Sequence, residues 1–250
     1  MAADIIDNRR LRLAECIRGL MADQAVAARF AVGYLFLDGL APLREQIENL
    51  NEVHILIGNV VNRLTEEQMQ EELAARLPGG DMPAREQEDF TATLREAHAR
   101  AARVTALNLR RTLKEMKPTP EARALLLSLA RRIADGGLKV RLYTHGRIHA
   151  KIALVDYAPQ AGQPCRIAVV GSSNLTLGAP AHPTEMNVIV RDGESTQALA
   201  QWYQGLWDQS QDFHRELFDE LGQCWALQPR SALTADADTE PGAPSAVRMT

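Results

Sequence analysis

The 250-residue sequence lacks the marks of a secreted or membrane protein. No apolar run approaches the roughly 20 residues that span a bilayer, and the first residues contain no apolar core of a secretory signal. Cys16, Cys165 and Cys224 are far apart and form no Cys-x-x-Cys, which favours free thiols over a disulfide framework. We therefore expect a cytoplasmic protein without a membrane partner.

Two kinds of functional site are also missing. No Gly-x4-Gly-Lys-Ser/Thr occurs, so this chain alone is not an ATPase motor. His145 and His149 are four residues apart, but the segment is predicted as turn and strand, and no cysteine or carboxylate cluster completes a zinc site. We expect neither a metal nor a cofactor.

Charge is unevenly distributed along the chain, although the net charge is only −4. Residues 1–90 carry 9 basic and 16 acidic side chains, residues 91–151 carry 14 and 4, and residues 152–250 carry 5 and 12. The strongly positive middle is typical of a polyanion site. A solvated helix face in which arginine serves solubility explains it about as well.

Apolar periodicity predicts an α/β fold, with a mixed β-sheet flanked by helices. Strands are predicted at residues 26–37, 53–58, 138–143, 148–156, 166–170 and 186–191. Helices are predicted at residues 4–22, 40–50, 64–77, 84–116, 121–134, 195–210 and 213–224. The first four elements alternate between helix and strand, which indicates a parallel βαβ unit.

One domain is predicted over residues 1–228, with a mainly helical insertion at about 60–136. A content of 46% hydrophobic and 24% charged residues is ordinary for a globular protein, so wholesale disorder is excluded. Residues 229–250 are rich in Ala, Thr, Pro, Ser and Asp without apolar periodicity, and are predicted as a disordered tail or linker.

Two short segments bring four polar side chains together. His149 and Lys151 are two residues apart on one predicted strand, and Ser172 and Asn174 repeat this spacing after the next. Residues i and i+2 of a strand point to the same face, so an imidazole, an ammonium, a hydroxyl and an amide are aimed at one spot. The set is hard to explain as packing and indicates a phosphate site with a nucleophile beside it.

His-x-Lys-x4-Asp at residues 149–156, followed by Gly-Ser-x-Asn at 171–174, resembles the HKD signature of the phospholipase D superfamily. The gap between the two halves is longer here than in the usual family pattern. Together with Asp7-Asn8-Arg9-Arg10 and Glu185-Met186-Asn187-Val188, the motif is similar to phospholipase-D-like domains of bacterial nucleases and of some Swi/Snf-type helicases.

The resemblance implies roles for the motif residues. His149 would attack phosphorus and form a phosphohistidine. Lys151, Ser172 and Asn174 would bind and neutralise the non-bridging oxygens, which makes a metal unnecessary.

Four neighbouring residues receive other roles. Glu185 is the candidate to fix the tautomer of His149, although an ordinary strand-edge carboxylate explains it nearly as well. The resemblance implies a structural role for Asp156, away from the phosphate. Arg147 and His145 are assigned to substrate binding.

The chain has one such motif, whereas the family mechanism uses two histidines. In single-motif members, two identical chains place their sites together across a twofold axis. The resemblance therefore implies a homodimer with both His149 rings at one phosphate.

Three functions follow as hypotheses. The favoured one is a metal-independent nuclease, with DNA preferred over RNA. The alternative is a phosphate-binding DNA-targeting module of a helicase or defence complex, with little or no activity of its own. Phospholipid hydrolysis or transfer is the third.

Overall fold

A mixed β-sheet forms the centre of the molecule. A computed structural model describes residues 5–7, 11–22, 24–58, 84–146, 148–159, 165–173 and 185–227, without the side chains of 84–91, 93, 94 and 97. Within these residues, eight strands follow the order β1-β7-β6-β5-β2-β3-β4-β8. Their bounds are β1 Ile5–Ile6, β2 Ala25–Val32, β3 Glu52–Gly58, β4 Leu138–Tyr143, β5 Lys151–Tyr157, β6 Arg166–Gly171, β7 Asn187–Val190 and β8 Gln211–Asp212.

Helices cover both faces of the sheet, which confirms the predicted α/β class. In the described part of the chain they are α1 Leu13–Leu20, α2 Arg44–Asn49 (after a 3-10 turn at Asp38–Leu43), α3 Ala84–Glu115, α4 Pro120–Ala134, α5 Gly193–Asp208 and α6 His214–Gly222. None of these helices combines the length and apolar character needed to cross a membrane.

Two apolar cores lie on opposite faces of the sheet. Ala153 and Val155 of β5 belong to the larger core, which α1, α2, α3, α4 and α6 cover. Ile152 and Leu154 belong to the smaller core, together with Tyr203 of α5. A strand covered on both faces reads as a continuous apolar run, and this explains the composition of β5.

The predicted parallel βαβ unit is confirmed. β2 pairs in parallel with β3, and β3 with β4. The chain between β3 and β4 includes α3 and α4, and α4 buries Leu125, Leu126 and Leu129 in the larger core. The helices expected as an insertion thus form part of the crossover that a parallel pair requires. Residues 59–83 and 228–250, which include the predicted helix at 64–77 and the tail, lie outside the described residues.

Two elements near the amino end differ from the prediction. Among the described residues of the helix expected over 4–22, only α1 is helical, while β1 pairs antiparallel with β7 and fully buries Ile6. Isoleucine is β-branched and suits a pleated surface better than a short helix. The strand expected over 26–37 ends at Val32, because Leu37 reaches the core from a bent segment instead.

Two arginines hold the carboxylate at the far end of β5. Asp156 is buried, and it accepts hydrogen bonds from Arg29 of β2 and Arg166 of β6. Arg166 also donates to Gln197 of α5 (3.3 Å). This cluster connects three neighbouring strands, about 16 Å along β5 from Lys151 at the usual rise per residue.

We expect Asp156→Asn to lower the free energy of unfolding by about 2–4 kcal/mol, because it leaves two partly buried guanidinium groups without their carboxylate. Urea denaturation followed by circular dichroism measures the change. Glu115→Gln removes an exposed ion pair with Arg111 and should leave stability unchanged. Equal effects of the two substitutions would contradict a structural role for Asp156.

Candidate active site

One edge of the sheet carries most of the predicted site. β2, β3 and β4 end there, β5 and β7 begin there, and β6 ends there. We call it the motif edge and define it by Val32, Gly58, Tyr143, Lys151 and Gly171. Ligands of open α/β sheets bind at the carboxyl ends of the parallel strands, and the motif edge is that end of β2, β3 and β4.

Lys151 is the first residue of β5, and His149 lies two residues before it, so the strand predicted from residue 148 begins later in the structure. His149 is exposed, and its ring has no hydrogen-bond partner among the described residues. The Nζ of Lys151 donates a hydrogen bond to the carbonyl oxygen of His149 (2.6 Å). An ammonium has three N–H donors, so two remain for the oxygens of an anion. The contact holds the positive charge next to the backbone that carries the imidazole.

The register places Lys151, Gly171 and Asn187 side by side on three neighbouring strands. The Nδ2 of buried Asn187 donates to the Oγ of Ser173 (2.8 Å), and its Oδ1 accepts from the backbone N–H of Ser173 (3.4 Å). A Cβ on residue 171 would lie 2.2 Å from the Oδ1 of Asn187 and 2.5 Å from the carbonyl oxygen of Met186. The close approach of Asn187 therefore requires glycine here.

Ser172 connects the end of β6 to the start of β7. Its backbone N–H donates to the carbonyl oxygen of Met186 (3.1 Å), and its hydroxyl oxygen accepts from the N–H of Met186 (3.2 Å). The side chain is exposed at the motif edge. Ser172 thus connects two strands by hydrogen bonds. Its contact with a phosphate stays a prediction.

The other predicted motif residues are not assembled around His149 in the described structure. Glu185 is half-buried just before β7, and no hydrogen bond joins it to His149 or to another described residue. Its orienting role stays a prediction. Asp156 lies at the opposite end of β5. Asn174 and Arg147 lie outside the described residues.

His145 reaches the motif edge from the loop after β4. Its ring packs edge-on against His98 of α3, with centroids 5.0 Å apart, and lies 5.8 Å from the ring of Tyr143. Burial, and then the neighbouring His145, lower the pKa of His98. His98 continues the inward stripe of α3 that includes Ala101 and Leu109, so it marks the point where this helix meets the edge.

The positive middle of the chain divides into two parts in the structure. Some of its side chains form ion pairs within the body: Arg132 with Asp135, Lys139 with Glu52 and Arg141 with Asp212. On the part of α3 around His98, other arginines are exposed without a described carboxylate partner: Arg95, Arg100 and Arg103. Arg95, Arg100 and Arg103 thus place exposed positive charge on the same helix as His98.

Sequence reasoning missed Asn187 and His98 as site residues. Asn187 stands at an inward position of β7, in line with buried Ile189. A polar residue at an inward strand position needs hydrogen-bond partners, and this signal could have identified it. His98 carried no such signal, because nothing in the sequence of α3 relates it to the loop after β4.

Comparison with known proteins decides the family. A family model described as "Cardiolipin synthase, PLD-like domain" matches residues 81–207, just over half of the chain, including His149, Lys151 and the Gly-Ser-x-Asn segment. The chain belongs to the phospholipase D-like family. The predicted family is therefore confirmed.

A solved structure similar to this phospholipase D-like chain is phosphatidylserine synthase of Haemophilus influenzae Rd KW20. Sequence identity is 15% and the TM-score is 0.44, and the alignment covers 92% of this chain and 44% of that chain. The phospholipase D-like chain thus spans less than half the length of this neighbour. None of the curated proteins matches its sequence significantly.

In this phospholipase D-like chain, we expect Gly171→Ala to lower the free energy of unfolding by about 1–3 kcal/mol, because the added Cβ overlaps Asn187 and Met186. Urea denaturation measures the loss. Gly205→Ala on α5 is the matched control, since an exposed helix glycine with open space around it should tolerate alanine or gain about 0.5–1 kcal/mol. Unchanged stability of Gly171→Ala would argue against the packing of Asn187 over this residue.

Proposed function

We propose that the protein is a metal-independent phosphodiesterase that cleaves nucleic acid through a phosphohistidine on His149. The observation that carries the proposal is an exposed imidazole beside an ammonium at the motif edge, with Lys151 Nζ 2.6 Å from the carbonyl oxygen of His149. Family membership supports the coarser part, which is chemistry at a phosphodiester.

The reaction consists of two displacements at phosphorus. In the first, a nitrogen of His149 forms a P–N bond while the P–O bond to the leaving group breaks, and an acid protonates the leaving oxygen. In the second, the conjugate base takes a proton from water, whose oxygen attacks phosphorus and releases His149. Lys151 stabilises the charge on the non-bridging oxygens, with Ser172 and Asn174 as further donors and Glu185 orienting the ring.

The acid in this scheme is a second imidazole. Because the chain has one His-x-Lys-x4-Asp, we assign the acid to His149 of a second copy, related by a twofold axis. The exposure of His149 supports this assignment, since a ring that faces solvent can meet a ring from another chain.

Exposed arginines support nucleic acid as the substrate. Arg95, Arg100 and Arg103 lie on the part of α3 around His98, and contacts between basic side chains and phosphates supply much of the affinity for nucleic acid. A DNA-targeting module of a helicase or defence complex would use the same side chains without cleavage. Phospholipid transfer is a further outcome for the test, because the matching family model is named for cardiolipin synthase.

We expect the protein to cleave labelled DNA in excess EDTA, since Lys151 and an imidazolium supply the positive charge. His149→Ala should slow cleavage by about a thousandfold or more, because the nucleophile is lost. Electrophoresis of single-stranded DNA, double-stranded DNA and RNA measures the rates. Phosphatidylcholine and phosphatidylglycerol vesicles are assayed in parallel.

The matched control is His214→Ala, which removes an exposed histidine at the first position of α6 and should leave the rates unchanged. Salt-dependent DNA binding without cleavage would favour the targeting module. Turnover of vesicle lipid alone would favour phospholipid chemistry. Cleavage that survives in His149→Ala would overturn the phosphohistidine mechanism.

A shared site predicts a particular dependence on subunit mixing. When wild-type and His149→Ala chains are mixed in equal amounts and allowed to exchange, activity should fall to about a quarter of that of wild type, because only dimers with two imidazoles react. Independent sites would leave about half of the activity under the same exchange. The measurement is the initial cleavage rate as a function of the mutant fraction.

Sedimentation of the two proteins is the accompanying control. Both should be dimers at micromolar concentration, so that the rate reports on the site and not on assembly. A wild-type monomer with full activity would exclude the shared site while leaving the role of His149 intact.

A further inference from the structure

Two aromatic side chains are exposed where β2 leaves the motif edge. Tyr34 is 46% exposed and Phe36 is 36% exposed, and their ring centroids lie 6.4 Å apart. Large aromatic side chains are usually buried, because their apolar surface gains most from leaving water. Two of them facing solvent as neighbours at a candidate active site indicate a surface for a flat ligand.

Packing brings the residue before Tyr34 close to the residue before His149. A Cβ built on Gly58 would lie 3.3 Å from the carbonyl oxygen of Gly33 and 3.3 Å from the backbone nitrogen of Ile148. These two residues therefore converge on the same point of β3. Tyr34 follows one of them in the chain and His149 follows the other, so the aromatic pair begins beside the segment that carries the imidazole.

The rings of His98 and His145 lie further along the same edge. The strand order runs from β5 through β2 and β3 to β4, so three strand spacings of about 4.8 Å separate Lys151 from Tyr143, or about 14 Å. His145 follows β4, and His98 of α3 contacts it. Exposed Arg95 stands one helical turn before His98 on α3.

We propose that the motif edge binds single-stranded nucleic acid along its length, and we call this binding surface the track. The scissile phosphate lies at His149 and Lys151, a base stacks on Tyr34 and Phe36, and another phosphate of the strand lies at His98, His145 and Arg95. This assignment rests on the proposed function and deepens it by naming the substrate class.

The exposed aromatic rings favour single-stranded over double-stranded nucleic acid. Aromatic side chains bind the faces of unpaired bases, with little dependence on sequence, because every base has such a face. In a duplex these faces are covered by the neighbouring base pairs, so the aromatic pair has nothing to stack on. The headgroup of phosphatidylcholine or phosphatidylglycerol offers one phosphodiester and no base, so it would use only the part of the track at His149.

Binding by a chain that cannot cleave tests the track directly. All variants carry His149→Ala, and fluorescence anisotropy measures the affinity for three labelled probes of about 16 nucleotides, the upper end of the site sizes of such grooves. The probes are a single strand with normal bases, a strand of abasic units of the same length, and the duplex of the first. The difference between the first two isolates the contribution of the bases.

We expect the normal strand to bind at least about fivefold more tightly than either the abasic strand or the duplex. The double substitution Tyr34→Ala with Phe36→Ala should bind the normal and abasic strands equally. Trp202→Ala, which removes an aromatic side chain of similar exposure on α5, should preserve the preference. Equal affinities for the normal and abasic strands before any further substitution would overturn the aromatic platform.

The histidine pair is tested with the same probes. His145→Ala and His98→Ala should weaken both single strands by a similar factor of about threefold or more, since imidazole N–H groups contact phosphate and not base. His214→Ala is the control, and thermal melting shows whether His98→Ala remains folded. A loss confined to the normal strand, or no loss with the exposed His145→Ala, would overturn the phosphate subsite.

The outcomes separate this inference from the proposed function. If the protein cleaves no phosphodiester but shows a base preference that depends on Tyr34 and Phe36, the single-strand binding surface is supported and the nuclease function is rejected. If it cleaves nucleic acid without such a preference, the nuclease function is supported and the aromatic platform is rejected. If the double substitution instead turns a dimer into a monomer and leaves the base preference intact, the aromatic pair is a contact between copies and the track is wrong.

Discussion

The missing side chain of Gly171 is the constraint on which the geometry of the motif edge depends. It lets the amide of Asn187 lie across β6 and hold Ser173, while Ser172 binds the backbone of Met186. These contacts fix where β6 ends and β7 begins. Because β6 also pairs with β5, the same constraint sets the surroundings of Lys151. The position of the candidate catalytic cation thus depends on a residue that contributes no chemistry.

The two ends of β5 have opposite relations to solvent and charge. At one end Asp156 is buried and neutralised by two arginines, which holds β2, β5 and β6 together. At the other end His149 is exposed. Lys151 donates one N–H to a backbone carbonyl oxygen, and its other two N–H groups remain available to an anion. The length of one strand therefore separates the buried ion pairs of Asp156 from the exposed candidate site. This division explains how one short motif can contain both a buried, ion-paired carboxylate and the proposed nucleophile.

Most of the fold could be predicted from the sequence, because strands and helices here are signalled by local apolar periodicity. β4 agrees with its predicted bounds, and the parallel unit of β2 and β3 is confirmed. The errors fall on β1, on the end of β2 and on the start of β5, where short segments fit helix, strand or bent chain about equally well and only tertiary pairing decides. The short strand β8 was not predicted. In the site, the spacing of His149 and Lys151 predicted a shared strand face, but β5 begins only at Lys151, so this stays a prediction. The spacing also could not show that Ser172 connects two strands.

The sequence by itself determined the family, the motif and the alternation of apolar residues in the strands, because these depend on residue types at short, fixed spacings. Only the tertiary structure decided that His98 meets His145, that the segment before Tyr34 meets Ile148, and that Asn187 covers Gly171. The contacts of Ile148 and Asn187 depend on strand order and register. The contact of His98 with His145 depends on them as well, because the crossover connects α3 to β4. Local propensities carry no information about such pairings, since the free energy that selects them comes from the whole packed sheet.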